Sequence, residues 1–200
     1  MGKGRLEAFS DGVIAIIITI MVLELHVPEG EELAALAPVM PVLLSYLMSF
    51  VFLGIYWNNH HHMFQACHRV SGPALWANLH LLFWLSLTPV TTAWMGHSHF
   101  AAWPVAIYGV VLLFSAVAYY ILTLTLLAVH ERDSPFARAL GSDFKGKFSL
   151  VAYAVGIPLA FVHPALAFAI YVGVALTWLV PDRRFERVLA VPGHETADRG

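Results

Sequence analysis

Long apolar segments separated by short polar ones occupy the first 180 residues of the chain. A helix needs about 20 apolar residues to cross a bilayer. Six candidate segments are Leu6–Val27, Val39–His62, Pro73–Trp94, Ala101–Val129, Phe148–Val162 and Pro164–Val180. Because the last two are short and interrupted by prolines, they form either full spans or a re-entrant helical hairpin. The pattern predicts an all-α membrane protein of six transmembrane helices, with one domain over residues 1–180 and a polar tail over 181–200.

The distribution of basic residues predicts the orientation of these segments. Charged residues make up 12% of the chain, about half the share in soluble domains. All 11 Lys and Arg residues flank the segments on the same side, and the opposite loops have none. The positive-inside rule then puts both termini and the tail in the cytoplasm. The net charge of −2 gives no reason to expect a nucleic-acid partner.

The outer loops carry acids and histidines instead of cations. They contain Glu24, Glu29, Glu31, Glu32, His26, His97, His99 and His163. The acidic group is either a solvated loop or a negatively charged mouth whose local field concentrates cations.

Polar residues open the first apolar segment, which reads Arg5-x-x-x-Phe9-Ser10-Asp11. A carboxylate costs roughly 2.5 to 3.5 kcal/mol at a bilayer centre and less near its edge, so such residues are functional candidates. Arg5 and Asp11 lie six residues apart and point in different directions on one helix. We therefore expect each to reach a neighbouring helix. Candidate partners at the end of the second segment and the start of the third are Tyr56, Trp57, Asn58, Asn59, His60, His61, His62, Trp76, Asn78 and His80.

The rest of the first segment has one bulky aliphatic stripe. At about 100° per residue, five residues lie within about 40° of Ile16, and Thr19 lies about 60° away. The five are Phe9, Gly12, Ile20, Leu23 and Val27. Such a stripe alone is typical of a helix that faces lipid or packs inside a bundle, but the polar residues at its head favour a functional helix.

The opening motif resembles the signature of the lysosomal and endosomal transmembrane potassium channel family, in its bacterial six-helix branch. Supporting matches are Trp57-x-x-His60, Phe64, Asn78-Leu-x-Leu and Pro89, and the resemblance spans residues 4–96. It implies a homotetramer in the bacterial cell membrane, with helix one of each subunit lining a central pathway. The permeant ion would be potassium, modestly favoured over sodium, with no cofactor and no enzymatic activity.

The resemblance also implies residue roles. By position, the family's narrow hydrophobic ring falls on Ile16, further pore layers fall on Ile20 and Leu23, and a selectivity layer falls on Thr19. The aliphatic stripe contains all four positions. The remaining motif residues would brace helix one against its neighbours: Arg5, Phe9, Ser10, Asp11, Trp57, Asn78 and either His60 or His61.

This chain lacks the Thr-Val-Gly-Tyr-Gly loop of ordinary potassium filters. A ring of four Ile16 side chains would close a pathway by dewetting. Hydroxyl groups of Thr19 could then supply oxygens to a partly dehydrated ion.

Three other function classes compete with the channel. The histidines at the end of segment two, His60, His61, His62 and His68, suggest a metal-ion or proton transporter, because imidazole is a common metal ligand. Adjacent residues on a helix point about 100° apart, so the triplet cannot share one ion. A membrane enzyme would need a motif such as Gly-x-Ser-x-Gly or His-Glu-x-x-His, which the chain lacks. A purely structural membrane protein is the third alternative.

The single cysteine, Cys67, excludes an internal disulfide and a cysteine zinc site.

Overall fold

A computed structural model describes residues 2–67, 69–131, 134 and 144–179, and the folded part of these residues is helical throughout. The helices are α1 (Lys3–Val22), a 3₁₀ helix (Leu33–Val39), α2 (Met40–Gln65), α3 (Gly72–Ser86), α4 (Thr88–His97), α5 (Ala102–Leu127), α6 (Phe144–Leu159) and α7 (Pro164–Leu179). The all-α prediction is confirmed for the described residues. The predicted tail over 181–200 lies outside them.

Two of the described helical stretches are long and apolar enough by themselves to cross a membrane. They are the 3₁₀ helix continued by α2, over Leu33–Gln65, and α5, over Ala102–Leu127. The first helix is long enough but carries several charges in its first three turns, and α6 and α7 have 16 residues each.

Prolines bear on two differences from the predicted boundaries. The first segment is predicted to run to Val27, but α1 ends at Val22. Pro28 keeps Val27 out of a helix, because the residue before a proline disfavours helical backbone angles, but it does not explain the end at Val22. The third segment is divided into α3 and α4 at Leu87, because Pro89 in the first turn of α4 has no N–H to continue the ladder of hydrogen bonds. The fifth predicted segment, Phe148–Val162, corresponds to α6, which already includes Phe144 and ends at Leu159.

The helices pack around α5, which contacts α3, α4, α6 and α7. The first helix lies at the edge of the bundle and packs against α2, α3 and α4. Two adjoining apolar clusters fill the interior, one beside α1 and one between α5, α6 and α7. One long face of α1 is therefore covered by three helices.

Two glycines leave space for the ring of Tyr171 in the second cluster. Tyr171 on α7 is fully buried, and its hydroxyl has no hydrogen-bond partner among the described residues. A Cβ at Gly109 of α5 or Gly156 of α6 would overlap the Tyr171 side chain. The close approach of these three helices therefore depends on glycine, which has no side chain, at both positions.

We expect Gly109→Ala to destabilise the protein by about 1–3 kcal/mol, the usual cost of overpacking a core. The measurement is the melting temperature of the purified protein in detergent. Gly173→Ala on α7 is the matched control, because a Cβ there meets no neighbouring atom. Equal melting temperatures for the two variants would contradict the proposed role of Gly109.

Candidate functional site

A chain of hydrogen bonds joins α1, α2 and α3 through three buried polar side chains. The His60 Nε2 atom lies 2.8 Å from Oδ1 of Asn78 and must donate, because an amide oxygen only accepts. The Asn78 amide nitrogen donates to Ser10 Oγ at 2.9 Å, and Ser10 donates to the Leu6 carbonyl at 2.9 Å. We call this group, Ser10, Asn78 and His60, the anchor.

The anchor is closed to solvent. Exposed fractions are 0% for Ser10, 1% for His60 and 0% for Asn78. A buried donor or acceptor that loses its partner costs about 1–3 kcal/mol. Because each member comes from a different helix, the three helices are held in one relative register.

His60 and His61, the two candidates for the bracing role, have different environments. The His60 ring lies in the interior, against Phe64 at 4.5 Å between ring centroids. The His61 ring stacks on Trp57 at 5.9 Å and shares a hydrogen bond with Gln65. The structure thus places His60, and not His61, against Asn78.

The carboxylate of Asp11 faces α2 outside the buried anchor. Trp57 Nε1 donates to its Oδ1 atom at 3.0 Å. Asp11 is half-buried and Trp57 is 44% exposed, so this pair lies at the surface of the subunit. Asp11, whose carboxylate is costly to place in a bilayer, is therefore only partly buried and accepts a hydrogen bond.

The two remaining motif residues, Arg5 and Phe9, are exposed on α1. The described part of the chain offers no hydrogen-bond or ion-pair partner for Arg5. Both residues lie on the side of the helix that carries Ile16, away from the anchor.

The predicted pore residues form the exposed face of α1. Exposed fractions are 59% for Ile16, 46% for Ile20 and 78% for Leu23. The Thr19 side chain is also exposed, and its hydroxyl donates to the Ile16 carbonyl at 2.9 Å. Leu23 caps the helix, whereas Val27 lies beyond it, so the helical-wheel angle assigned to Val27 is wrong.

The opposite face of α1 is buried. It consists of Leu6, Ser10, Ile14, Ile17 and Met21. This spacing of three and four residues is that of one helical face. The helix thus has a packed side with a polar anchor and an apolar side that no other described residue covers.

The histidines considered for metal binding do not form a set of three ligands with other described residues, although the rings of His61 and His62 lie 5.7 Å apart. His60 and His61 are engaged with Asn78 and Gln65, and His68 lies outside the described residues. In residues 2–67, 69–131, 134 and 144–179, no three His, Cys, Asp or Glu side chains are grouped so as to hold a metal ion. The geometry offers no support for a metal transporter built on the end of α2.

Sequence reasoning missed one contact at the other end of α1. The rings of His26 and His97 meet edge to face, with centroids 6.2 Å apart. Both residues were noted as outer-loop histidines, but nothing in the sequence brings them together.

Comparison with known proteins gives relatives over nearly the full chain. The family described as "Endosomal/lysosomal potassium channel TMEM175" matches residues 5–89. A protein of Chryseobacterium sp. (strain P1-3) named a potassium channel is 55% identical over 189 residues, covering 94% of this chain and 98% of that protein. A potassium channel of Streptomyces collinus is 34% identical over 183 residues, covering 84% of this chain and 86% of that protein.

An animal relative and a solved structure extend the comparison. The endosomal/lysosomal proton channel TMEM175 of Gallus gallus is 29% identical over 170 residues, which are 76% of this chain but 34% of that protein. The crystal structure of a lysosomal potassium-selective channel TMEM175 homolog from Chamaesiphon minutus matches with a TM-score of 0.79 and 27% identity. It covers 90% of this chain and 97% of that one. The chain therefore belongs to the TMEM175 family of potassium channels.

Proposed function

We propose that this chain is a subunit of a potassium channel in which four copies surround a central pathway lined by α1. The observation that carries the proposal is the exposed apolar face of α1, formed by Ile16, Ile20 and Leu23. It lies opposite a face that three helices cover. The names of the bacterial relatives, potassium channels of Chryseobacterium and Streptomyces, support the choice of ion.

The neighbouring positions on α1 favour contact with another subunit. Ala8, Gly12 and Ala15 are exposed, and small residues let a second helix approach closely. Because the stripe runs along the helix, a ring of copies around one axis would turn all stripes inward. The ring at Ile16 would then close the pathway by dewetting, with no ligand to replace the water around an ion.

The proposed topology has six crossings, with both termini in the cytoplasm of a bacterial cell. Two exposed tryptophans support it, Trp76 at the start of α3 and Trp103 at the start of α5, with exposed fractions of 75% and 65%. They fall at opposite ends of the bundle in this topology, as in the aromatic belts of membrane proteins. With 16 residues, α6 and α7 reach only about 24 Å. They would need local thinning of the bilayer to cross it.

The proposal for selectivity rests on Thr19. Its hydroxyl proton goes to the Ile16 carbonyl, which leaves the oxygen lone pairs free to face the axis. Four such oxygens, next to a constriction that strips water from the ion, would favour potassium modestly because potassium loses water at lower cost than sodium.

The decisive experiment is reconstitution of the full chain in liposomes loaded with potassium. We expect potassium efflux that is faster than in protein-free vesicles and that exceeds sodium efflux under the mirrored gradient. A pH-sensitive dye in the lumen measures proton flux in the same vesicles. Absence of any potassium flux from protein that is folded and tetrameric by chemical cross-linking would refute the proposal.

We expect Thr19→Val to lower the potassium-to-sodium permeability ratio by at least about twofold, equivalent to a lost interaction of ~0.5 kcal/mol. Valine keeps the shape and removes the oxygen. Thr177→Val is the matched control, because Thr177 is also exposed and also donates to a carbonyl three residues earlier, but on α7. A ratio that is unchanged in Thr19→Val would remove the hydroxyl from the selectivity mechanism.

The anchor predicts a specific coupling in a double-mutant cycle. Asn78→Ala and Ser10→Ala should each lower the free energy of unfolding. The loss in the double variant should be smaller than the sum of the two single losses by about 0.5–3 kcal/mol, because both substitutions remove the same hydrogen bond. Asn59→Ala is the control, since the Asn59 amide donates within its own helix to the Ile55 carbonyl. Melting temperatures in detergent measure the effect, and strictly additive losses for Ser10 and Asn78 would argue against a shared bond.

A further inference from the structure

The outer end of α1 and the end of α4 are joined by two histidines. His26 follows the last turn of α1, and His97 is the final residue of α4. Their rings meet edge to face, with an interplanar angle of 82°. Both side chains are exposed, so an ion in solution can reach them.

The hydrogen bonds of the two rings fix the same tautomer. His26 Nδ1 lies 3.1 Å from the Glu24 carbonyl oxygen, and His97 Nδ1 lies 2.8 Å from the Ala93 carbonyl oxygen. Since a carbonyl only accepts, each Nδ1 must carry the proton. Each neutral ring therefore keeps a free lone pair on Nε2. Histidines that bind metals have the same arrangement. One ring nitrogen binds the metal, and the N–H of the other donates to a backbone carbonyl or a carboxylate.

The spacing of the rings fits one shared ion. Two imidazoles that each hold a metal at about 2.1 Å have ring centres roughly 5–6.5 Å apart. The observed separation is 6.2 Å. A cavity of about 300 Å³ adjoins both rings, and Glu24 is among the residues that line it. Its other walls are apolar and come from the 3₁₀ helix and the start of α2.

Charge and ligand chemistry narrow the class of ion. Glu29, Glu31 and Glu32 are exposed in the adjoining loop and make the local field attractive to cations. Two imidazoles with one carboxylate suit zinc, nickel or copper, whereas calcium and magnesium prefer oxygen ligands alone. No three ligands are already assembled in the described residues. Glu24 or water would therefore complete the coordination when the ion binds.

We propose that His26 and His97, with Glu24 as third ligand, bind a zinc-class metal ion and thereby tie the outer end of α1 to α4. The functional consequence rests on the proposed function, in which α1 lines the pathway: the bridge restrains this helix. Zinc on the outer side then slows potassium flux.

The binding test is calorimetric titration of the full chain in detergent with zinc chloride. We expect saturable binding whose affinity falls at least about tenfold in His26→Gln and in His97→Gln, the scale of loss seen when even an outer partner of a metal ligand is removed. His163→Gln is the matched control, because His163 is an exposed histidine in the turn between α6 and α7. Melting temperatures without zinc establish that the variants fold. Wild-type affinity in either His26→Gln or His97→Gln, or no saturable binding by the wild type, would overturn the site.

A flux measurement distinguishes failure of this site from failure of the channel proposal. Zinc added outside liposomes should slow potassium efflux in the wild type and in His163→Gln, but not in His26→Gln or His97→Gln. If the wild type passes no potassium, the channel proposal fails and calorimetry still decides the metal site. If potassium passes but zinc does not bind, the metal site alone is wrong.

Discussion

The hydrogen-bonded anchor of Ser10, Asn78 and His60 is the constraint on which the arrangement of α1 depends. Apolar contacts alone would tolerate small rotations or slides of an aliphatic helix, because one Ile can replace another in a groove. The anchor does not tolerate them, since its side chains are buried and two of its hydrogen bonds, His60 to Asn78 and Asn78 to Ser10, each join two helices. Sliding α1 by one turn would separate Ser10 from Asn78 and leave the buried Asn78 amide nitrogen without its acceptor, at about 1–3 kcal/mol.

Fixing the rotation of α1 also decides which residues it leaves uncovered. Ser10 and Ile16 are six residues apart, which puts them about 120° apart around the helix. While Ser10 is held toward α3, Ile16 must point away from the bundle. The Asp11 carboxylate is turned toward α2 by Trp57 and lies far from the Ile16 stripe. Ser10 and Asp11 thus orient the apolar face without lying on it, whereas Arg5 lies on the same side of α1 as Ile16.

The helices and the two faces of α1 were predictable from the sequence, because hydrophobic length and helical periodicity are local properties. Helix ends were less predictable: α1 ends at Val22 although the apolar run continues to Val27, and Pro89 divides the third segment. The partner of Asn78 was not predictable, because His60 and His61 point about 100° apart and only the packing of α2 on α3 selects one. The contact of His26 with His97 joins a loop to the end of a helix that is distant in the chain, and no periodic pattern encodes it.

The two ends of α1 differ in how firmly they are held, and this difference bears on how a pore could open. The anchor holds the first turns, whereas the helix ends beyond Met21 in a loop rich in glutamate. A tilt that pivots at Ser10 moves each later residue in proportion to its distance along the axis. Ile16 lies about 9 Å from Ser10 and Leu23 about 20 Å, at 1.5 Å per residue. Displacement is therefore largest at the C-terminal end of α1, where a ligand that bridges His26 to His97 needs to resist the least force to hold the helix still.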